Sequence, residues 1–191
     1  GGFVMYDFIN MVNRKETGSV KWEEMYECNP NVGRDIVPFS IADMEFKLAP
    51  EITQGLKKFI DSAVLGYTTP YVEYLDAVKE WQKRRHNFKI EKDWIVGTQG
   101  VIAAISAAIR GLTEVGDGIV IMPPVYYPFS DITIRNKRKV ANCPLINNDG
   151  YYTIDYDKLE SLLKDPKNKM LLFCSPHNPV GRVWKLDELE K

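Results

Sequence analysis

Apolar positions in this chain change their spacing as the sequence advances, and each change marks an element. From Pro50 onward Ile52, Leu56, Phe59 and Ile60 fall on one helical face. "GYTTP" then breaks the pattern at Gly66 and Pro70. Tyr71, Leu75, Val78 and Trp81 repeat the helical spacing with charges opposite, which predicts a second amphipathic helix. "DWIVGTQG" reads as a short strand ending in a glycine turn, "VIAAISAAIRGL" as an apolar helix, and "GDGIVIMPP" as a buried strand closed by two prolines. "YYPFSDITIRNK" predicts a weaker helix and "KVANCPL" another strand. "DYDKLESLLKD" predicts a helix with Asp155 as N-cap and Leu159, Leu162 and Leu163 facing inward. "KMLLFCSP" is again strand-like, and "KLDELEK" opens a further helix.

Strands separated by helical segments imply right-handed crossovers, so the expected fold class is α/β, with a mainly parallel sheet flanked by helices. The region before Pro50 is different. It is polar and mixed, with Tyr6, Phe8 and Trp22 as aromatic anchors and no sustained period, and reads as an arm that packs on something else. The expected division is therefore an arm and small-domain segment over 1–48 and a partial large domain over 49–191.

Composition narrows the function. The 25 Lys and Arg residues nearly cancel the 26 Asp and Glu, giving a net charge of −1. No global field draws such a chain to nucleic acid or an anionic membrane, and a small neutral or zwitterionic ligand fits better. At 191 residues and 45% hydrophobic content the chain can bury a core and reads as a soluble globular protein. Cys28, Cys143 and Cys174 are odd in number and widely spaced, which fits a reducing cytoplasm rather than a disulfide framework or a zinc site. No apolar run is long enough to span a bilayer and no signal-peptide pattern precedes the first polar segment. Gly1 and Gly2 precede Met5, which reads as a natural start.

In a parallel α/β sheet, ligands collect beyond the carboxyl ends of strands, and three such loops stand out. In "GTQGVIAAI", Gly100 lets the backbone approach a ligand while the N–H groups of Val101 and Ile102 open a helix, an anion site; alternatively the glycine only makes the turn. In "MPPVYYPF", two prolines stiffen the strand exit and present Tyr126 and Tyr127, for stacking on a flat ligand or for packing. In "CSPHNPVGRVW", the Asn178 amide can donate to an oxyanion. His177 has no partner carboxylate in sequence and reads as a hydrogen-bonded structural residue rather than an acid or base. Arg182 reads as a surface or ion-pair residue, with an anion-binding role as the alternative. Together the loops offer an anion cradle, a stacking ring and a polar donor, the set that a planar phosphorylated aromatic cofactor requires.

At these residues the sequence resembles the class I/II aminotransferase superfamily, the fold type I pyridoxal phosphate enzymes, and within it the cystathionine β-lyase-like carbon–sulfur lyase branch. The stretches that carry the resemblance are "TGSVKW", "ADMEF", "GYT", "GTQGVIAAI", "PPVYYPF" and "HNPVGRVW", spread over nearly the whole chain. The resemblance implies that Asn178 bonds the phenolic oxygen of pyridoxal 5'-phosphate, that Tyr126 stacks on its ring, and that Gly100, Val101 and Ile102 surround its phosphate. It implies that Tyr67 reaches the phosphate of a neighbouring subunit in a homodimer with shared sites, and that Ala42 and Asp43 lie near an amino acid substrate.

The superfamily's Schiff-base lysine, the aspartate paired with the pyridine nitrogen and the carboxylate-binding arginine all follow the "NPxG" loop, and none is recognised here. Lys185 and Lys191 follow that loop too closely to be the lysine. The chain thus resembles the amino-terminal half of such an enzyme, and these residues alone are expected to be inactive. The implied reaction of the intact protein is carbon–sulfur β-elimination giving thiol, pyruvate and ammonia, with amino-group transfer as the alternative. Two other classes remain open. One is a non-catalytic pyridoxal phosphate-binding regulatory module, although no basic helix-turn-helix is evident. The other is a nucleotide-binding domain, although G-x-G-x-x-G is lacking.

Overall fold

The computed structural model describes residues 6–191; Gly1, Gly2 and Met5 lie outside the described residues. The chain divides into two compact units, Gly1–Thr69 and Pro70–Lys191.

The first unit holds two helices. α1 (Val20–Cys28) forms within the segment that lacked a clear period, and it buries Lys21 and Trp22. Its buried side mixes a cation with an indole, so no apolar stripe announced it. α2 (Pro50–Ser62) begins with proline at its first position, where the missing N–H is harmless. Its predicted apolar face exists, but Ile52, Leu56, Phe59 and Ile60 each remain more than half exposed.

In the second unit, α3 (Val72–His86) ends at Asn87 in a left-handed conformation, with basic residues in its last turn. The stretch expected to be a strand before Gly100 is instead a short 3-10 turn, Lys92–Trp94, followed by irregular chain. A strand needs a neighbour to bond its backbone, and among the described residues none pairs with Ile95–Gly100. α4 (Val101–Leu112) and α5 (Pro128–Arg135) follow the predicted spans, separated by β1 (Gly118–Ile121).

β1 is central in a three-stranded parallel sheet of order β2-β1-β5, with β2 at Lys139–Asn142 and β5 at Asn168–Leu171. All four residues of β1 are buried, as its unbroken apolar run requires of a strand covered on both faces. On one face Val120 and Met122 join Cys143, Leu145, Ile154 and Trp184 in the core. Alternation puts Ile119 and Ile121 on the other face, where α5 lies against β1. β3 (Ile146–Asn148) and β4 (Tyr151–Thr153) form a hairpin that the sequence reading missed. Its signal was the dipeptide Asp149-Gly150, both at positive φ, in a two-residue turn.

α6 (Tyr156–Lys164) is capped as expected, the Asp155 carboxylate accepting from the Lys158 N–H at 2.9 Å. Leu159 and Leu162 pack on the core, whereas Leu163 is half exposed, contrary to its expected inward position. It lies about 100° round the helix from Leu162 and borders a partly open cavity with Leu171 and Phe173. The short α7 (Leu186–Leu189) closes the unit.

Gly118 marks where β1 and β5 approach closely. A Cβ there would collide with the side-chain oxygen of Asn168, whose amide nitrogen donates to the Leu162 carbonyl at 2.8 Å. Gly118→Ala is therefore expected to destabilise the protein by about 1–3 kcal/mol, the usual cost of overpacking, measured by denaturant unfolding. An unchanged midpoint would show that Asn168 moves aside freely.

Candidate functional site

Two of the three loops singled out in the sequence follow adjacent strands, β1 and β5, and the third opens α4, which packs against α5. Gly100 caps α4 at φ 91° and ψ 163°, a region that side-chain-bearing residues scarcely enter. The first N–H groups of a helix, here those of Val101 and Ile102 included, lack intrahelical acceptors, and the Gly100 cap supplies no side chain to take them up. They form a patch of positive potential.

Beyond β1, Tyr126 is 38% exposed, its ring edge-on to Phe129 at 5.9 Å and tilted against Tyr127 at 5.7 Å. Phe129 is itself buried, so the tyrosine ring is braced while part of its surface stays open. Beyond β5, Asn178 is exposed at the head of a tight turn. That turn is closed by the His177 N–H donating to the Arg182 carbonyl at 2.7 Å and the Gly181 N–H donating to the His177 carbonyl at 2.8 Å.

Side chains fasten this turn to the core. His177 is buried, and its Nε2 lies 3.0 Å from the Met122 carbonyl and 3.1 Å from the Pro124 carbonyl. Carbonyl oxygens only accept, so Nε2 carries the proton. Arg182, expected at the surface or in an ion pair, is a buried ion pair. Its guanidinium makes 2.6 Å contacts with both Glu188 carboxylate oxygens, donates to the Tyr152 carbonyl, and lies over the Tyr151 and Trp184 rings. The Trp184 indole donates to the Cys174 carbonyl at 2.9 Å. Sequence had no signal for these partners, which lie up to 55 residues away.

The loops 97–102, 122–127 and 174–181 contain no Asp or Glu. These loops thus carry unpaired helix N–H groups, a partly exposed aromatic ring and an exposed amide, and no carboxylate of their own. Two cavities of this unit, both partly open to solvent, lie elsewhere. One, of about 590 Å³, is lined by residues of α6, β5 and α7; another, of about 640 Å³, lies at the amino ends of the strands. Ligands of parallel sheets bind at the carboxyl ends of strands, the side on which the loops after β1 and β5 lie.

The remaining predicted residues belong to the first unit. Tyr67 is fully exposed, and Ala42 is exposed beside Asp43. Asp43 pairs with Arg14 at 2.6 Å and Lys21 at 3.3 Å, while the buried Lys21 meets Glu45 at 2.5 Å and donates to the Asp43 carbonyl at 2.7 Å. The Trp22 indole donates to Glu45 at 3.3 Å. This network was not read from the sequence. Its effect is to fix the backbone of the Ala42–Asp43 segment against α1.

The Arg14 hydrogen bond first, and that of Lys21 after it, holds the Asp43 carboxyl below the ordinary carboxylate range; Lys21 chiefly, aided by Trp22, does the same for Glu45. Lys21 is correspondingly raised, mainly by Glu45. Depressed carboxylate values stabilise the fold above their unfolded pKa, and that stability disappears as pH falls through the folded values. Protection of the α1 backbone from hydrogen exchange should therefore decline on acidification below the ordinary Glu range. Glu45→Gln should flatten that decline and lower protection at neutral pH, and an unaltered acid limb would contradict the network's role.

Among the described residues no group of three His, Cys, Asp or Glu side chains is gathered as a metal site, and no helix is long and apolar enough to cross a membrane. Burial raises the Cys143 thiol above its ordinary range, keeping it protonated in the core.

Comparison with known proteins bears out the resemblance. The chain is 39% identical over 185 residues to cystathionine β-lyase PatB of Bacillus subtilis, covering 97% of this chain and 47% of PatB. Among solved structures, cystalysin from Treponema denticola, which contains pyridoxal 5'-phosphate, matches with a TM-score of 0.94 and 55% identity over 97% of this chain and 47% of its own. The pyridoxal phosphate-bound C–S lyase from Staphylococcus hominis matches with a TM-score of 0.88 and 29% identity, covering 99% of this chain and 48% of its own. The chain spans about half the length of the curated relatives it matches. The sequence profile described as Aminotransferase class I and II matches residues 34–191, and the chain belongs to that family.

Proposed function

We propose that the intact protein is a pyridoxal 5'-phosphate-dependent carbon–sulfur β-lyase that acts on cystathionine or related cysteine-like amino acids and releases thiol, pyruvate and ammonia. The observation that carries this reading is the likeness to PatB and cystalysin over 97% of the chain. The cofactor, when bound, supplies an electron sink for the pair left when the substrate's α-proton departs, so that a β-thiolate can be expelled.

The residues present fit that group. The N–H groups of Val101 and Ile102, opened by Gly100, hold the phosphate. Tyr126 offers its open face to the pyridine ring, and the Asn178 amide donates to the phenolic oxygen. Tyr67 serves the phosphate of a neighbouring subunit, which makes the protein a homodimer with shared sites. Ala42 and Asp43 line the substrate side through their backbone, since the Asp43 carboxylate is engaged by Arg14 and Lys21. In this reading 1–48 is the arm and small-domain segment, 49–191 is the cofactor-binding part of the large domain, and the protein works in the cytoplasm on small molecules. The lysine that moves the α-proton belongs to the remainder of the protein, so the residues described here bind and orient.

These residues serve amino-group transfer equally well, and the family's description names that reaction. Incubating the intact protein with cystathionine is expected to release pyruvate and a thiol together. Keto-acid formation from added amino acids without pyruvate would assign it to the aminotransferases, and neither product would favour a non-catalytic binding module. The stacking role has its own test. Tyr126→Ala should weaken cofactor binding by about 0.5–1.5 kcal/mol beyond the burial lost, measured by cofactor titration. Unchanged affinity would remove Tyr126 from the site.

A further inference from the structure

We propose that His177 is the positioning residue that sets the Asn178 amide relative to Tyr126, acting as a fixed Nε2–H donor that ties the loop after β5 to the loop after β1. The proposal rests on the cofactor reading above. The tie is specific. Both acceptors, the Met122 and Pro124 carbonyls, lie in the β1 loop just before Tyr126, and the donor belongs to the residue just before Asn178. The histidine backbone also takes part, bonding Arg182 and Gly181 across the turn that carries Asn178.

The ring has little freedom. It is 1% exposed and sits edge-on to Trp184 at 5.5 Å, with planes at 85°. Its Nδ1 has no hydrogen-bond partner among the described residues. An Nδ1–H tautomer would thus abandon the buried Met122 carbonyl and the part-buried contact with the Pro124 carbonyl while burying an unpaired N–H, and the Nε2–H tautomer avoids both losses. Such a ring is suited to hold a distance. Asn178 itself is exposed and has no side-chain hydrogen bond among the described residues, so its aim depends on the residue beside it.

The test is a double-mutant cycle in the intact protein, reading pyridoxal 5'-phosphate affinity by spectroscopic titration and folding by thermal melting. His177→Phe keeps the ring and removes the donor; His177→Gln keeps a donor nitrogen at a similar reach. We expect H177F to weaken cofactor binding about tenfold, H177Q to stay within about threefold of the parent, and H177F to cost nothing further once Asn178→Ala is present. A purely structural histidine would instead give losses that add to those of N178A. Additive losses, or an H177F protein that binds like the parent while N178A is weak, would overturn the proposal. Parental affinity in N178A would overturn the cofactor reading beneath it. Should H177F not accumulate as folded protein, ¹⁵N NMR of the parent decides. A neutral Nε2–H ring with a slowly exchanging proton supports the role, and an Nδ1–H tautomer overturns it.

Discussion

Trp184→Ala is expected to destabilise the unit Pro70–Lys191 by about 3–5 kcal/mol, the range for truncating a large buried aromatic residue. Trp184 is 4% exposed and belongs to the core cluster with Val120, Met122, Cys143, Leu145 and Ile154. Its loss opens a cavity beside the sheet and leaves the Cys174 carbonyl without the indole N–H. It also removes one of the two rings under the Arg182 guanidinium and the wall against His177. The turn bearing Asn178 is therefore expected to loosen, so cofactor affinity should fall along with stability. Denaturant unfolding of the intact protein, monitored on this unit, measures the first effect. A loss below about 1 kcal/mol would show that the site collapses around the missing ring, against the packing described.

The second large effect is expected at Gly100. An added Cβ would meet nothing within 4 Å, so Gly100→Ala tests the backbone alone. At φ 91° and ψ 163° an alanine is strained by about 1–3 kcal/mol. The chain relieves that strain by rotating the peptide that leads into α4, which turns the first N–H groups away from a common point. Cofactor affinity should drop about tenfold, in proportion to the strain. Gly111, near the end of the same helix and equally open, provides the control, because Gly111→Ala should stabilise the helix by about 0.5–1 kcal/mol. Opposite signs for one substitution in one helix would isolate the role of the cap. Equal responses would remove it.

These contrasts indicate what a linear sequence conveys. β1 was legible because a strand buried on both faces must be continuously apolar, and α6 because Asp155 and the leucine spacing are local signals. The α2 face was equally legible as a pattern, yet spacing does not reveal what covers a face, and in this unit it is largely uncovered. Ile95–Gly100 had strand-like residues, but pairing is a property of two segments and no second segment meets it among the described residues. The Asp149-Gly150 turn is also a local signal, but the strands it joins are only three residues each and carry little pattern of their own.

The site divides the same way. Tyr126 and Asn178 lie beyond β1 and β5, as the local loop signals imply, whereas Gly100 opens α4 with no strand before it. The fastening of the Asn178 turn by His177, Arg182, Glu188 and Trp184 was not legible, because it depends on contacts with Met122, Pro124 and Tyr152 that only the fold creates. The Lys21–Glu45 and Arg14–Asp43 pairs were hidden for the same reason, inside a segment without periodicity.

The proposed part of the loops 97–102, 122–127 and 174–181 in one side of a pyridoxal phosphate site is tested most directly by an absorption titration of the intact protein. Added cofactor should produce a visible band that saturates and is lost on borohydride reduction. A folded protein with its downstream lysine in place that shows no band at saturating cofactor would contradict the account.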